Sequence, residues 1–330
     1  MVKRKLTKQQ RVRISANQQN ESEAREMEGG DTLSRKGLVI SHFGQQLEVE
    51  PLSGSHTSRS TIRCFQRTNL PSLVTGDKVI FQADSEDTGI ILSAEPRVNV
   101  FARPGFKGQI KPVAANIDIV VVVVAVLPEP FTNLTDRYLV AIESLGLKPL
   151  IVLNKADLVT KENAASIDSM MSMYQSIGYA TRKVSADTGV GLDKLGQLLS
   201  GKTTVLVGQS GVGKSSLVNG LSQQDNALVG RLSVGKEKGT HTTTTARLFH
   251  LGEFDLVDSP GIREFNLGHI EHSQLIAGYP ELNALKGSCK FRDCGHQSEP
   301  GCAILAGVQE GLVFPQRLSN YFQILQTIAN

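Results

Sequence analysis

The chain has 330 residues, enough for two or three domains and a sizeable core, with an ordinary 40% hydrophobic and 20% charged composition. Its longest apolar run is Ile119–Leu127, and a bilayer span needs about 20 residues, so a membrane protein is excluded from the expectation. Four cysteines are too few for a disulfide scaffold and no apolar stretch follows the basic N-terminus, so a cytoplasmic chain without membrane association is expected.

The net charge of +3 hides an asymmetry. Lys3, Arg4, Lys5, Lys8, Arg11 and Arg13 lie in the first twenty residues without a single acid. Residues 1–35 are Gln-, Asn-, Glu- and Gly-rich without hydrophobic periodicity, and are read as a disordered basic arm. A basic arm on a mildly acidic body suits a polyanion partner or a merely solvated terminus. From 36 to 97 the texture turns to short β-type runs: Gly37–Ile40, Gln46–Val49, Ser60–Phe65, Lys78–Gln82 and Gly89–Leu92. Five short strands in so short a stretch suit a small barrel, of OB type or a relative of it.

Residues 98–115 read as a linker, with Pro104-Gly105 and Pro112 as breakers. An α/β pattern follows and carries a domain expected over 98–265. Ile119–Leu127 is a Val-rich run of the kind buried on both faces of a parallel sheet. Leu134–Leu145 is helical in pattern, Leu150–Leu153 a strand, Ile167–Ser176 a helix, and Thr181–Val184 and Thr204–Val207 strands. A helix from Lys214 and strands at Thr243–Leu251 and Phe254–Val257 complete a doubly wound, mostly parallel sheet. Residues 266–330 are expected to form a helical domain around a Cys/His cluster, with Val308, Leu312, Leu318, Phe322, Leu325 and Ile328 as packing faces.

Gly208-Gln209-Ser210-Gly211-Val212-Gly213-Lys214-Ser215, followed by Ser216, fits the phosphate-loop pattern and stands between a strand and a helix, as that pattern requires. Its backbone N–H groups and the helix N-terminus would cradle phosphate oxygens. Lys214 would reach the β- and γ-phosphates, and Ser215 would ligate Mg²⁺. Asp258-Ser259-Pro260-Gly261 closes the strand Phe254–Val257. Asp258 would hold Mg²⁺ through water, and Gly261 would offer its N–H to the γ-phosphate.

Asn154-Lys155-Ala156-Asp157 ends another strand and fits a guanine reader. A carboxylate at Asp157 accepts from guanine N1–H and N2 together, a donor pair adenine lacks. Lys155 would cover the base with its stem. Ser185-Ala186 follows the next strand, and the Ala186 N–H would face guanine O6. Gly239-Thr240-His241-Thr242-Thr243-Thr244-Thr245 precedes Asp258. One of its hydroxyls, with Thr243 the choice, would complete the Mg²⁺ shell, although a plain Thr-rich strand reads the same way. Ile262 occupies the position after Gly261 where a water-orienting Gln is common. Isoleucine cannot orient water, so intrinsic hydrolysis should be slow, and His241 is the in-chain candidate to assist it or is a structural histidine. Cys289, Cys294, His296 and Cys302 fit one closed, structural Zn²⁺ site.

The guanine reader precedes the phosphate loop, the reverse of the usual order and a circular permutation. With the barrel before it and the zinc cluster after it, this arrangement resembles the RsgA/YjeQ family of small-subunit-dependent GTPases over about residues 36–330. The resemblance implies a three-part fold: an OB-like β-barrel, a circularly permuted P-loop α/β GTPase domain and a helical zinc-binding domain. It implies GTP/GDP, Mg²⁺ and one Zn²⁺ as cofactors. It also implies a late assembly factor that binds the small ribosomal subunit through its rRNA, hydrolyses GTP when stimulated by it, and then leaves. DNA is not expected as a partner, and a monomer is. His241 matches the family's switch histidine. An RNA-binding module that keeps GTP only as a structural or regulatory ligand is the alternative.

Overall fold

The computed structural model describes residues 34–44, 46–52, 60–104, 110–222, 246–258 and 272–328. The arm at 1–33, the threonine segment with His241 and Thr243, and Gly261 lie outside the described residues. The chain divides into two compact units, one ending at Arg97 and one beginning at Val98.

The first unit is a five-stranded barrel: β1 (Ser34–Phe43), β2 (Gln46–Pro51), β3 (Ile62–Gln66), β4 (Lys78–Ala83) and β5 (Thr88–Ala94). The order is β1-β2-β3-β5-β4, and β4 returns to pair with β1, which closes the sheet. Only β3 and β5 run parallel. Strand β1 is long enough to serve both neighbours, helped by a register shift between Val39 and Ser41. Alternation fills the interior with Val39, Leu47, Val49, Cys64, Val79, Phe81 and Ile91. Gly37 lets β1 cross the core closely, since a Cβ there would lie 2.4 Å from Val49 Cγ1. Burial pushes the Cys64 thiol up to about 12, so it behaves as a core apolar group. Arg97 ends the unit by forking onto buried Asp77, with bonds of 2.6 and 2.7 Å to its two oxygens.

The second unit opens with ordered structure where a linker was expected. The stretch read as a linker folds as a hairpin, β6 (Val100–Pro104) against β7 (Ile110–Ala115). Phe101, Val113, Ala114 and Ala115 are buried, and the Asn99 side chain pins the hairpin base by accepting from Ile117 N–H and donating to Ile117 O. Pro104, read as a breaker, is the last residue of β6, and Pro112 lies within β7 opposite Ala102.

The central sheet contains β8 (Ile119–Ala125), β9 (Pro149–Asn154), β10 (Ala180–Lys183), β11 (Thr203–Val207), β12 (Arg247–Leu251) and β13 (Phe254–Asp258). Their order is β10-β9-β8-β11-β13-β12, parallel except for the β12–β13 pair. The chain winds from β8 outward to β10, then returns to β11 on the other side of β8. That reversal is a topological switch point, the place where an open α/β sheet forms its crevice. Helices α1 (Thr132–Ser144), α2 (Lys161–Ile177), α3 (Leu192–Leu199) and α4 (Lys214–Leu221) cover the sheet. Strand β8 is buried from Val120 to Ala125, as its unbroken valine run demands.

Four further helices follow: α5 (His272–Ala277), α6 (Pro280–Leu285), α7 (Ala303–Gln309) and α8 (Pro315–Ile328). They share a core with Val140 and Ala141 of α1, so the second unit runs on without a seam. Gly278 packs so tightly on α1 that a Cβ would lie 2.9 Å from Val140 Cα. Val308 and, on α8, Leu318, Phe322, Leu325 and Ile328 pack against this core as expected, and the buried face of α8 is wider than its apolar residues. Arg317, Asn320, Tyr321 and Ile324 are buried beside Leu318, and Leu312 is exposed. A charge can sit on that stripe because it is paired. Arg317 donates to Asp136 at 2.5 Å and to Glu281 at 2.7 Å, while Asn320 and the Tyr174 hydroxyl each donate to Asp136 at 2.7 Å. Burial pushes the Asp136 carboxyl up against the pull of Arg317, Asn320 and Tyr174.

Candidate nucleotide site and metal centre

The loops that follow β8, β9, β10 and β11 meet at the C-terminal edge of the sheet. The phosphate-loop segment leaves β11 through Gly208, which is buried with φ 142°. A Cβ there would lie 2.2 Å from Val123 O, so the loop passes backbone against backbone over β8. Gly213 precedes α4 with φ 89°, and a Cβ there would lie 2.4 Å from Asn154 Nδ2. Val212 is buried in the sheet's helix-covered core, which fixes the middle of the loop. Lys214 opens α4 and arches back, its ammonium donating to Gly208 O at 2.6 Å and Gln209 O at 2.7 Å. Ser215 and Ser216 are exposed on the first turn of α4, and Ser210 is exposed on the loop. N–H groups and hydroxyls at a helix start form an anion site.

Asn154 is buried at the end of β9. Its Nδ2 donates to Val212 O at 2.9 Å, and its Oδ1 accepts from Ala186 N–H at 3.0 Å. One side chain thus ties the loops after β9, β10 and β11. The Ala186 N–H, expected to face guanine O6, is therefore engaged by Asn154. Lys155 adopts a left-handed conformation at φ 59°. Its ammonium donates to Leu127 O at 2.7 Å and Gly211 O at 2.8 Å, linking the loop after β8 to the phosphate loop. A role as a stem over the base does not by itself explain this second tie.

Asp157 lies in the short 3-10 turn Ala156–Leu158, exposed and with no hydrogen bond to its carboxylate among the described residues. Ala156 N–H bonds Val184 O at 3.0 Å, which holds that turn beside β10. Ser185 is buried, and its hydroxyl accepts from Thr188 N–H at 3.1 Å, shaping the loop that presents Ala186. Asp258 ends β13, the strand paired with β11, from which the phosphate loop runs to Ser215 on the first turn of α4. Hard oxygen donors of this kind suit Mg²⁺.

Sequence reasoning placed the motif residues but missed the amide of Asn154 and the ammonium of Lys155 as loop ties. Spacing alone carries no signal for them, because both bonds span more than fifty residues of chain.

The second cluster sits in the loop before α7. Cys289, Cys294, His296 and Cys302 bring their donor atoms within 4.8 Å of one another. With Zn–S of about 2.3 Å and Zn–N of about 2.0 Å, a tetrahedron has S···N edges of about 3.5 Å and S···S edges of about 3.8 Å. Here Cys289 Sγ and Cys302 Sγ each lie 3.5 Å from His296 Nδ1 and 4.0 Å from each other. The donor set therefore fits a closed zinc tetrahedron. His296 turns its ring inward from a left-handed backbone, φ 61°, a conformation held only where the surroundings enforce it. Glu299 braces the same loop by accepting from the N–H groups of Gly295, Gln297 and Ser298 at 2.9, 2.8 and 3.0 Å. Its own backbone N–H, together with these three, holds its carboxyl down at about 2.

Residues 94–268 match the family described as RsgA GTPase. The small ribosomal subunit biogenesis GTPase RsgA of Azotobacter vinelandii is 50% identical, over 99% of this chain and 98% of the relative. The chain belongs to the RsgA GTPase family. A second RsgA, from Pseudomonas fluorescens, is 49% identical over the same shares. Among solved structures, YjeQ from Thermotoga maritima superposes with a TM-score of 0.73 at 30% identity, covering 90% of this chain and 99% of that one. YloQ, described as a circularly permuted GTPase, superposes at 0.71 with 26% identity, over 90% and 96%. The guanine-reader and phosphate-loop residues and Asp258 fall inside the matched RsgA segment, and the Cys/His cluster follows it. As a member of the RsgA GTPases, this chain is a GTP hydrolase with a permuted domain. Among the described residues no helix is long and apolar enough to cross a membrane.

Proposed function

We propose that this protein is a GTPase of small ribosomal subunit maturation, which binds the particle through rRNA, hydrolyses GTP on it and is released afterwards. The observation that carries the guanine half is the Asn154 tie: one buried amide binds the guanine-reader strand to the phosphate loop at 2.9 Å. The exposed Asp157 carboxylate would accept from guanine N1–H and N2. The N–H groups of Gly208 to Ser216 would bind the phosphates. Lys214 would exchange its loop carbonyls for β- and γ-phosphate oxygens.

Ser215 and Asp258, the latter through water, together with Thr243 would hold Mg²⁺, which when bound offsets the phosphate charge. Gly261 would donate to the γ-phosphate. Ile262 leaves the water-orienting task to His241 or to the ribosomal particle. Cys289, Cys294, His296 and Cys302 would hold one zinc as a structural clamp on the C-terminal loop.

The particle half rests on the relatives, which are named as small-subunit biogenesis GTPases. Two surfaces support it. On the barrel, Phe43, Gln46, Phe65 and Ile90 are register partners across four strands, and the two Phe rings are 46% exposed. Exposed Arg63 stands two residues from Phe65 on the same strand face, and rings beside a guanidinium stack bases and meet phosphates. Around the Cys/His cluster, Lys286, Lys290 and Arg292 are exposed. Monomeric action with neither DNA nor membrane belongs to the same reading.

The test is GTP turnover by the purified protein alone, and with small subunits, large subunits or bulk RNA. Stimulation by small subunits alone is expected. Equal stimulation by bulk RNA would replace the particle with general RNA binding, and GTP binding without any stimulation would leave GTP as a passive ligand.

A further inference from the structure

Within its first two turns, helix α1 touches both the phosphate loop and α8. Gln209 and Val212 of that loop share a void of only about 10 Å³ with Pro128, Phe131, Leu134 and Thr135. This is room for at most one water, so the start of α1 backs the loop almost directly. The segment that enters α1 is tied to the same loop, since the Lys155 ammonium bridges Leu127 O and Gly211 O. Toward α8, Asn133 donates to Gln323 at 3.1 Å and Arg137 to Thr327 at 2.9 Å.

Three helices meet at Asp136, which lies one turn into α1 and is fully buried. Arg317 and Asn320 of α8 each hold one of its oxygens. The third helix is α2, which follows the guanine-reader turn and brings in the Tyr174 hydroxyl. Burial and the Asp136 charge push that hydroxyl well above its ordinary value, so it stays a donor. Its one proton faces two acceptors on α1, Asp136 Oδ1 at 2.7 Å and the main-chain O of Thr132 at 3.2 Å. Thr132 is the first residue of α1. Tyr174 thus fastens the helix that leaves the guanine reader to the start of the helix that backs the phosphate loop, although it belongs to neither motif.

We propose that Tyr174 is a positioning residue for the nucleotide site: through Thr132 and Asp136 it sets the start of α1, and with it the phosphate loop and the Lys155 tie, against the guanine reader at the head of α2. This rests on the reading of those loops as the guanine nucleotide site. The physical effect is preorganisation, because a loop whose backing is loose must be reset each time a nucleotide binds. Arg317 and Asn320 grip the same carboxylate, so the seat of α1 is shared with α8. Nucleotide binding and the order of α8 are therefore linked in both directions.

The test compares two buried tyrosines of one cluster. Tyr279 also lies against Arg317, its ring centroid 4.3 Å from the guanidinium carbon, but its hydroxyl has no hydrogen-bond partner among the described residues. In calorimetric titrations of the full chain, well below its melting range, Tyr174→Phe should weaken GDP binding by about three- to tenfold, and Tyr279→Phe by less than about 1.5-fold. A merely structural hydroxyl would lower the melting temperature and leave the affinity of the folded protein unchanged. Hydrogen exchange of the unsubstituted protein is a second readout that needs no variant to fold: GDP should slow amide exchange in α8 around Asn320 by at least about threefold. Equal GDP affinity in the two variants, or no slowing in α8, would overturn the proposal. Failure of the unsubstituted protein to bind GDP would remove the nucleotide reading itself, and this inference with it.

Discussion

Around Asn154 the loops are held by the protein's own hydrogen bonds, whereas around His296 four side chains converge on a point that suits a metal. In the first region Asn154, Lys155 and Lys214 each bridge main-chain groups over a sheet whose central strand is buried throughout. In the second, the segment from Cys289 to Cys302 contains only one 3-10-free loop braced by Glu299, and one of its ligands takes a left-handed backbone. The difference teaches how each site obtains its shape. The nucleotide loops are preorganised by bonds that exist before any ligand contributes, while the four Cys/His donors, set against the C-terminal core, form a group that a metal ion would complete.

The largest expected effect follows from removing the zinc proposed for the Cys/His cluster. Structural zinc contributes on the order of 10 kcal/mol of binding free energy to the fold it clamps. Stripping it with a strong chelator should melt the loop and loosen α7, whose start is the buried Cys302, while guanine nucleotide binding persists. Calorimetry with metal analysis checks this, and loss of GDP binding at the same step would show that the two regions are not separable.

Next in size is the buried ion pair that joins α8 to α1. Arg317→Met leaves Asp136 buried without its cation, and should cost about 3–5 kcal/mol in chemical denaturation. A cost near zero would mean that the apolar contacts of the shared core, not the pair, hold the C-terminal helices in place.

Asn154→Ala probes the preorganised side directly. It removes the bond to Val212 O and leaves the Ala186 N–H without its acceptor, so GDP affinity should fall by about 2–4 kcal/mol with a smaller loss of stability. Calorimetric titration checks it; a change below about 0.5 kcal/mol would show that the loops hold their shape without the tie.

The smallest effect concerns Glu299. Its folded-state pKa is depressed, so its contribution is present above the ordinary carboxylate range and fades as pH falls toward about 2. Carboxyl NMR should find it titrating near that value, and an ordinary midpoint near 4.5 would mean the three N–H bonds are not formed in solution.

Much of the nucleotide site was legible in the sequence because its motifs are contiguous and each abuts a strand. The valine run of β8 announced a buried central strand for the same reason: burial on both faces leaves a local mark. What was not legible depends on distant partners. Asn154 was legible as part of the guanine-reader motif but not as a loop tie, since Val212 and Ala186 come near it only after the sheet forms. Arg317 interrupts the expected apolar stripe of α8 and is buried because Asp136 waits on another helix. The β6–β7 hairpin hid behind Pro104 and Pro112, which a two-stranded edge ladder tolerates, with a register shift between Phe101 and Ala102. Barrel closure through β1 and β4 is likewise a long-range pairing that alternation alone does not specify.

On the proposed function, the preorganised loops present Asp157 to guanine. Nucleotide preference of Asp157→Asn, measured as the ratio of GDP to XDP affinity, tests it most directly. The ratio should invert in favour of xanthine, with stability changed by less than about 0.5 kcal/mol because the side chain is exposed and unpartnered among the described residues. An unchanged preference for GDP would contradict it and place the guanine reader elsewhere.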